Sequence, residues 1–267
     1  MDAYDPYHPA AWIAQAQIYR DDFERLCAYP VDALLDAVDV SAGAHLLSIG
    51  AETGNEAAAA AQRRGARVQA VDTEGGTVAR ARVCGIKARY VPLPELPFGD
   101  GEFDVVVANF ALNYVGRPRA TLAEMRRVLR PGGRIALTLW GARRGAGQDL
   151  SRQAREAGGA LLPEYRLRLD PGEDFVRTPE GLVEFLGAAG FTATETTELA
   201  WEHRTDVESS WGGVLAGIAR YGLTMTPQHR ETLTRIRDEF DRVSAEFAPG
   251  DEKLALPHIA MLGWASA

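Results

Sequence analysis

One stretch near the start of the chain constrains the fold more than any other, because an apolar segment, a glycine turn, an alanine-rich run, a second apolar segment and an acid follow one another in it. The stretch is HLLSIGAETGNEAAAAAQRRGARVQAVDTEGGTVARAR, residues His45–Arg82. Gly50 and Gly54 punctuate the turn, and Gly65 ends the helix that the alanine run predicts. The apolar segments predict strands, so the whole stretch predicts one strand–helix–strand unit of a parallel sheet.

Such a unit places a ligand over the start of its helix, here at Gly54–Glu56. Asp72 follows the second apolar segment, Val68–Val71, where it is placed to accept hydrogen bonds from ribose hydroxyls. The interval from Gly54 to Asp72 fits the spacing of about 20 residues in nucleotide-binding units. Two interpretations stay open from this stretch alone: a nucleotide site, or an ordinary doubly wound α/β domain whose two glycines only make a tight turn.

The composition is that of an ordinary globular protein, and it argues against two classes of partner. The 267 residues suit one large domain or a domain with an inserted cap. A net charge of −8 argues against binding to nucleic acids and to anionic membrane surfaces. Cys27 and Cys84 form neither a metal-binding spacing nor a disulfide framework, so we expect no metal. We expect a cytoplasmic protein, because the acidic, polar start is unlike a signal peptide and the longest apolar run, Val105–Ala108, is too short to span a bilayer.

The middle of the chain predicts further elements of the same sheet. Phe103–Asn109, FDVVVAN, is a valine run without polar alternation, typical of a strand covered on both faces. An amphipathic helix is predicted over Pro118–Leu129, with a stop at Arg130–Gly133 and a strand over Arg134–Trp140. Asn109–Leu112 follows the valine strand at its carboxyl end, where open parallel sheets bind ligands.

We divide the chain into three parts. Residues 1–41 are expected to form an N-terminal helical arm or lid, in which Tyr4, Tyr7 or Tyr19 faces the ligand or serves as a packing anchor. Residues 42–140 form the core, and residues 141–267 contribute cap helices and the last two strands of the sheet. The Arg/Gly-rich segment Gly141–Gly159 suggests a mobile exit from the core.

The third part contains two predicted strands separated by two long helices. Thr178 and Pro179 predict the start of a helix that precedes the first of these strands. The strands are Phe191–Trp201 and His258–Ala265, and the helices between them are expected to cover the ligand edge of the sheet.

Four segments resemble a known family. They are LLSIGAETG, VQAVDTEGGTVARAR, LPFGDGEFDVVVANFALNYV and AEMRRVLRPGGRIALTLW. Through them, residues 42–140 resemble the class I S-adenosylmethionine (SAM)-dependent methyltransferases that modify small molecules. The resemblance implies an α/β, Rossmann-like, doubly wound sheet of seven strands, the last two being antiparallel additions. It also implies SAM as cofactor and a small, secondary-metabolite substrate, and it leaves a homodimer open.

The resemblance assigns SAM binding to the glycine turn, the second strand end and the carboxyl end of the fourth strand. To these positions we add Tyr19 of the arm. The predicted cofactor-binding residues are Tyr19, Gly50, Ala51, Glu52, Gly54, Asp72, Thr73, Thr77, Pro92, Leu93, Asn109, Phe110 and Ala111.

Three positions depart from the family pattern. Ser48 stands where the family has an acid that helps to hold the SAM ammonium, and Pro92 stands where it often has an aspartate for the adenine. Glu52 replaces a glycine at a close backbone approach. Glu52 either acts as a built-in anion in place of the SAM carboxylate, pairs with the ammonium as a relocated acid, or points to solvent. Together the departures predict weak SAM binding or none.

Catalysis in this family comes largely from alignment of the reactants in a dry pocket, with a base needed only for poorly acidic nucleophiles. The candidates for a catalytic group are therefore weak: Tyr114, His203 and His258, each of which also has a plain packing interpretation. Three functions remain in order of preference: a SAM-dependent methyltransferase, a methyltransferase-like enzyme that catalyses another reaction such as a cyclisation, and a non-catalytic binding protein on the same scaffold.

Overall fold

The computed structural model describes residues 22–50, 56–160, 169–215, 229–248, 250 and 253–267. The described residues form a seven-stranded sheet in the order β3-β2-β1-β4-β5-β7-β6. In chain order its strands are β1 (His45–Ile49), β2 (Arg67–Asp72), β3 (Lys87–Tyr90), β4 (Phe103–Asn109), β5 (Leu129–Leu139), β6 (Thr192–Thr205) and β7 (Leu254–Ser266).

The first five strands are parallel, and the sheet becomes antiparallel at β7. Strand β1 pairs with β2 on one side and with β4 on the other, so it lies at the centre of the parallel part. Strand β7 runs antiparallel to both β5 and β6. This topology confirms the predicted fold class, including the antiparallel closing pair.

Helices lie on both faces of the sheet. They are α1 (Glu24–Ala28), α2 (Val31–Asp36), α3 (Glu56–Arg63), α4 (Gly75–Val83), α5 (Pro118–Val128), α6 (Ala146–Ala157), α7 (Pro179–Ala188), α8 (Val207–Leu215) and α9 (Arg230–Ser244). Short 3₁₀ turns cover Ala111–Asn113 and Ala245–Phe247. One core packs α5 and α7 against the sheet, and the opposite core packs α2, α3 and α4 against its other face. Both faces are thus covered, as the valine run of β4 predicts.

Most predicted elements in the described ranges are present, with shifted ends. The strand over Phe103–Asn109 has the predicted bounds. Strand β5 starts earlier than predicted, at Leu129, because the segment up to Gly133 bulges while it stays paired with β4. Helix α7 begins as predicted: the backbone N–H of Gly181 donates to the Thr178 hydroxyl at 3.2 Å.

The expectation of a mobile exit over Gly141–Gly159 is wrong, because most of this segment is helix α6. Its start is held by Gln148, whose Oε1 accepts from the N–H groups of Gly145 (2.6 Å) and Ile259 (2.9 Å). Gly147 and Gly158 lie so close to β7 and α9 that an added Cβ would come within 2.7 Å of neighbouring atoms. The glycines that suggested mobility serve close packing instead.

Helices α6, α8 and α9 and the start of β7 enclose a separate apolar cluster. Its buried members are Leu150, Ala154, Trp211, Ile236, Phe240, Val243, Leu254 and Leu256. The last residue of β5, Leu139, pairs with Met261, so the part of β7 before Met261 continues beyond the carboxyl end of β5. The cluster therefore lies past the edge at which β4 and β5 end. The division into arm, core and cap stays a prediction.

Candidate functional site

The carboxyl ends of β1 and β4 meet at a glycine that no other residue could easily replace. Gly50 has φ +84°, and its N–H donates to the carbonyl of Val71 at 2.9 Å. A Cβ added at Gly50 would lie 2.8 Å from the Cβ of Ala111. The bare backbone at position 50 is therefore required both by its dihedral angle and by its neighbour.

Asp72, at the end of β2, organises the turn into α4. Its Oδ1 accepts from the N–H of Glu74 at 2.8 Å, and its side chain is half-buried. Glu74 in turn caps α4 by accepting from the N–H of Thr77 at 2.6 Å. The predicted residue Thr77 is buried and Thr73 is exposed. The sequence analysis missed Glu74, although an acid three positions before Thr77 is a recognisable capping signal.

The predicted adenine side of the site lies next to Asp72. The N–H of Val91 donates to the carbonyl of Asp72 at 2.8 Å, which brings the following residues beside the end of β2. Pro92 is exposed, whereas Leu93 is half-buried and packs against the core. Pro92 offers neither a carboxylate nor a backbone donor there.

Asn109 has a structural task at the end of β4. It is buried; its Nδ2 donates to the carbonyl of Cys27 at 2.9 Å, and its Oδ1 accepts from the Thr138 hydroxyl at 2.6 Å. The amide thus ties α1, β4 and β5 together. A contact between Asn109 and a ligand would have to come mainly from its backbone.

Phe110, the next residue, adopts a left-handed conformation with φ +55°. Its N–H donates to the Thr138 hydroxyl at 2.9 Å, and its buried ring stacks on Trp140 with a centroid distance of 4.1 Å. These contacts hold a backbone conformation that is rare for a bulky side chain. The neighbouring Ala111 is buried and starts the 3₁₀ turn beside Gly50.

Aromatic rings and two imidazoles form a cluster at this edge. We name it the aromatic cluster, and it consists of Tyr29, Phe110, Trp140, Trp201, His203 and His258. Tyr29 stacks on Trp201 at 5.0 Å with an angle of 6° between the ring planes. Trp140 lies 5.9 Å from Trp201 and 6.1 Å from His258. Our sequence reasoning missed both tryptophans as site residues, although Trp140 follows directly after a strand that ends at the ligand edge.

The three candidates for a catalytic group converge on this cluster. Tyr114 is half-buried and packs against it. His203 is buried and contacts Asp22, with 2.6 Å between Nε2 and Oδ1. His258 is buried, and its Nδ1 lies 2.8 Å from the carbonyl of Leu256. Removal from water lowers the pKa of His258 to about 4, so this imidazole is neutral at pH 7.

Several predicted residues cannot be located in this way. Tyr19, Ala51, Glu52 and Gly54 lie outside the described residues, as do Tyr4 and Tyr7. Ser48 is described and is buried within β1.

Two further properties concern the described ranges alone. There, no three His, Cys, Asp or Glu side chains come together as a metal site. No helix within them combines the length and apolar character needed to cross a membrane.

Comparison with known proteins agrees with the fold. Residues 47–137 match the family described as "Methyltransferase domain". A demethylmenaquinone methyltransferase of Clavibacter sepedonicus is 41% identical over 106 residues, which is 38% of this chain and 43% of that protein. The chain thus spans less than half the length of this relative.

Solved structures with low sequence identity share the fold. The [4+2]-cyclase SpnF has a TM-score of 0.55 at 19% identity, covering 89% of this chain and 80% of its own. The phosphoethanolamine N-methyltransferase 2 of Haemonchus contortus, solved in complex with SAM, has a TM-score of 0.53 at 16% identity, covering 97% of this chain and 57% of its own.

Proposed function

We propose that this chain, which matches a methyltransferase domain over residues 47–137 and has the class I fold, transfers a methyl group from SAM to a small-molecule acceptor. The observation that carries the proposal is the juxtaposition of Gly50 and Asp72 at the carboxyl edge of the parallel strands. Open parallel sheets bind nucleotides at this edge.

The described residues fit the nucleoside part of SAM. A carboxylate at the end of β2 is the acceptor that two ribose hydroxyls require, and Asp72 supplies it. Position 50 must be glycine, because a Cβ there would collide with Ala111. The backbone beside Asp72 is therefore free of a side chain at this position. Leu93 offers apolar surface next to Asp72 for a flat base.

When bound, SAM supplies an electrophilic methyl group on a sulfonium. The protein's own part is to hold the reactants and to exclude water. The buried ring of Phe110 and the half-buried ring of Trp140 give the edge a low dielectric constant, in which a nucleophile is poorly solvated and more reactive. Alignment in such a pocket accounts for much of the rate in a bimolecular transfer.

The test is calorimetric titration of the full chain with SAM and with S-adenosylhomocysteine. We expect both to bind, and we expect Asp72→Asn to weaken binding about tenfold or more, because a charge-assisted hydrogen bond contributes about 1.5–3 kcal/mol. Asp238→Asn is the matched control, because Asp238 is an exposed aspartate on α9. Equal affinities for the two variants would contradict the proposed site.

A second candidate is an enzyme on this scaffold that catalyses another reaction, such as a cyclisation. It is supported by Ser48, a buried residue without a carboxylate at the family's acid position, and by the exposed Pro92. Glu52, a third departure, lies outside the described residues. Mass spectrometry decides between the two candidates: a product heavier by one methyl group, formed in a single turnover with SAM, excludes the second. Restoring Ser48→Asp together with Glu52→Gly and repeating the titration tests whether the departures weaken SAM binding.

A non-catalytic binding role and a homodimer both stay predictions. If the protein binds a small molecule but does not methylate it with SAM, the non-catalytic role is favoured. Light scattering, which measures the mass of the protein in solution, tests the homodimer.

A further inference from the structure

Four rings of the aromatic cluster stack on one another in the order Tyr29, Trp201, Trp140 and Phe110. Tyr29 and Trp201 are stacked within 6° at 5.0 Å, and Phe110 and Trp140 within 18° at 4.1 Å. Tyr29 is the outer ring, 57% exposed, whereas Trp201 is 7% exposed. The indole of Trp201 therefore already accepts one flat ring against its face, in the spacing that aromatic pairs prefer.

A buried donor in this cluster has no hydrogen-bond partner among the described residues. The Nε1–H of Trp201 is shielded from water and meets no acceptor within the described part of the chain. A buried indole N–H normally finds an acceptor, and leaving such a group unpaired costs about 1–3 kcal/mol. An oxygen-bearing ligand in the cluster would satisfy it.

Each imidazole in the cluster has one nitrogen already committed. The carbonyl of Leu256 can only accept, so the Nδ1 of His258 carries the proton and its Nε2 is the acceptor. Burial lowers the pKa of His258, so the ring is neutral and has one acceptor nitrogen. In His203 the Asp22 carboxylate accepts from Nε2–H, which leaves Nδ1 as the acceptor nitrogen.

The pair of Asp22 and His203 has the arrangement in which a carboxylate orients an imidazole that acts as a general base. A carboxylate that holds an imidazole through one nitrogen fixes its tautomer and balances the positive charge when the other nitrogen takes up a proton. His258 lies 6.0 Å from His203, ring centre to ring centre. Two cations also act on the group: Arg25, 3.7 Å from Asp22, and Arg144, whose charge reaches His258.

We propose that the aromatic cluster is the acceptor site, that it binds a flat hydroxylated aromatic compound such as a phenol or a hydroquinone, and that His203, oriented by Asp22, removes the hydroxyl proton. A flat ligand ring takes the place of the exposed Tyr29 ring against Trp201, and the indole donor with the two imidazole acceptors selects its oxygen substituents. This substrate class rests on the proposed methyl transfer.

The transfer of the hydroxyl proton involves two groups of the protein, His203 and Asp22. The phenol O–H bond breaks, its electron pair stays on the oxygen, and a new N–H bond forms at Nδ1 of His203. Asp22 neutralises the resulting imidazolium. The phenolate oxygen then uses its electron pair to bond the methyl carbon, and the former carbon–sulfur pair remains on sulfur. Release of the proton from His203 to water restores the neutral ring.

The experiment uses the full chain without SAM and para-nitrophenol as probe. Two signals are recorded: quenching of tryptophan fluorescence, which reports binding near Trp140 and Trp201, and the visible absorption of the phenolate, which reports ionisation of the bound probe. We expect saturable quenching and a larger ionised fraction than in buffer. Trp201→Leu should weaken binding about fivefold to tenfold, because an aromatic pair contributes about 0.5–1.5 kcal/mol beyond burial.

Asp22→Asn separates a proton-accepting role from a merely structural one. The asparagine keeps the size of the side chain and a hydrogen-bond acceptor for Nε2–H, so binding should stay within about twofold while the ionised fraction of the bound probe falls about tenfold. His203→Gln should do the same and, with SAM present, lower methylation of a phenol about a hundredfold. His229→Gln is the control, because His229 is exposed at the start of α9.

Two results would overturn the inference. One is the absence of saturable quenching up to the solubility limit of the probe. The other is a bound probe that is ionised as much in Asp22→Asn as in the wild type. The pair of Asp22 and His203 would then only hold the residues around Asp22 on β6. Failure of SAM to bind in calorimetry, with these probe results intact, would refute methyl transfer and leave the acceptor site standing.

Discussion

At the scale of single residues, two left-handed backbone positions meet at the ligand edge. Gly50 has φ +84° and Phe110 has φ +55°. Glycine adopts its conformation without strain, whereas phenylalanine requires the support of Thr138 and Trp140. Strain held by surrounding contacts is common where a backbone lines a binding site.

Gly50→Ala should reduce both stability and SAM affinity. The new Cβ meets Ala111 at 2.8 Å and the left-handed φ adds strain, so we expect a loss of about 2–4 kcal/mol in the free energy of unfolding. Gly85→Ala is the matched control, since Gly85 has φ +81° and nothing within 4 Å of the added atom. Urea denaturation measures the free energy of unfolding of the two variants, and calorimetric titration measures their affinity for SAM. Equal losses would mean that the contact with Ala111 carries no weight.

At the scale of elements, the placement of α6 depends on glycines. An added Cβ at Gly147 would lie 2.7 Å from the Cβ of Leu256 on β7, and one at Gly158 would lie 2.7 Å from Ile236 on α9. Helix α6 therefore approaches its neighbours more closely than any side chain would permit. Gln148 fixes the start of α6, because its side-chain oxygen accepts hydrogen bonds from two backbone N–H groups.

Gly147→Ala should destabilise the protein by about 1–3 kcal/mol, because the close contact with β7 forces α6 outwards. Gly187→Ala, in α7, has the opposite expected sign. Nothing lies within 4 Å of its added Cβ, so the smaller entropy of the unfolded chain should stabilise by about 0.4–1 kcal/mol. Thermal unfolding of the two variants gives the comparison. A stabilising Gly147→Ala would contradict the packing of α6.

At the scale of the whole molecule, stability should depend on pH through His258. Its folded pKa, about 4, lies below the ordinary value of 6.5 because burial disfavours the charged ring. The unfolded chain therefore binds the proton more readily, and the contribution of this group is complete above pH 6.5 and declines as the pH falls towards 4. The groups that act on the ring are His203, Asp22 and Arg144.

We expect the free energy of unfolding to fall by about 2 kcal/mol between about pH 7.5 and pH 5 through this group alone. His258→Gln should remove that part of the pH dependence, and His229→Gln should leave it in place. Urea denaturation at the two pH values provides the measurement. An unchanged pH slope in His258→Gln would show that the buried imidazole is not the cause.

Several features of the whole fold were predictable from local pattern. The valine run of β4 has the predicted bounds, and Thr178 caps α7 as expected. Asp72 ends its strand where the pattern places it. These features depend on residues close together in the chain, so periodicity and capping chemistry reveal them.

Other features were missed because their cause is distant in the chain. Strand β7 begins at Leu254 and not at His258, since its first residues pair with the end of β6. The Arg/Gly-rich segment is a helix because β7 and α9 pack against it. The side chain of Asn109 ties β4 to α1 and β5, a role that the sequence did not reveal, and its contact with a ligand stays a prediction.

The class of fold, the parallel unit at its centre and the acid that ends β2 could all be predicted from the chain alone, because each depends on the short-range spacing of apolar residues, glycines and caps. The folded chain alone reveals that Asp22 meets His203, 181 residues away, and that Trp140 joins Trp201 and His258 in one cluster. Such contacts depend on strand order and register, which are set by the burial of whole faces of the sheet and have no signature in local sequence.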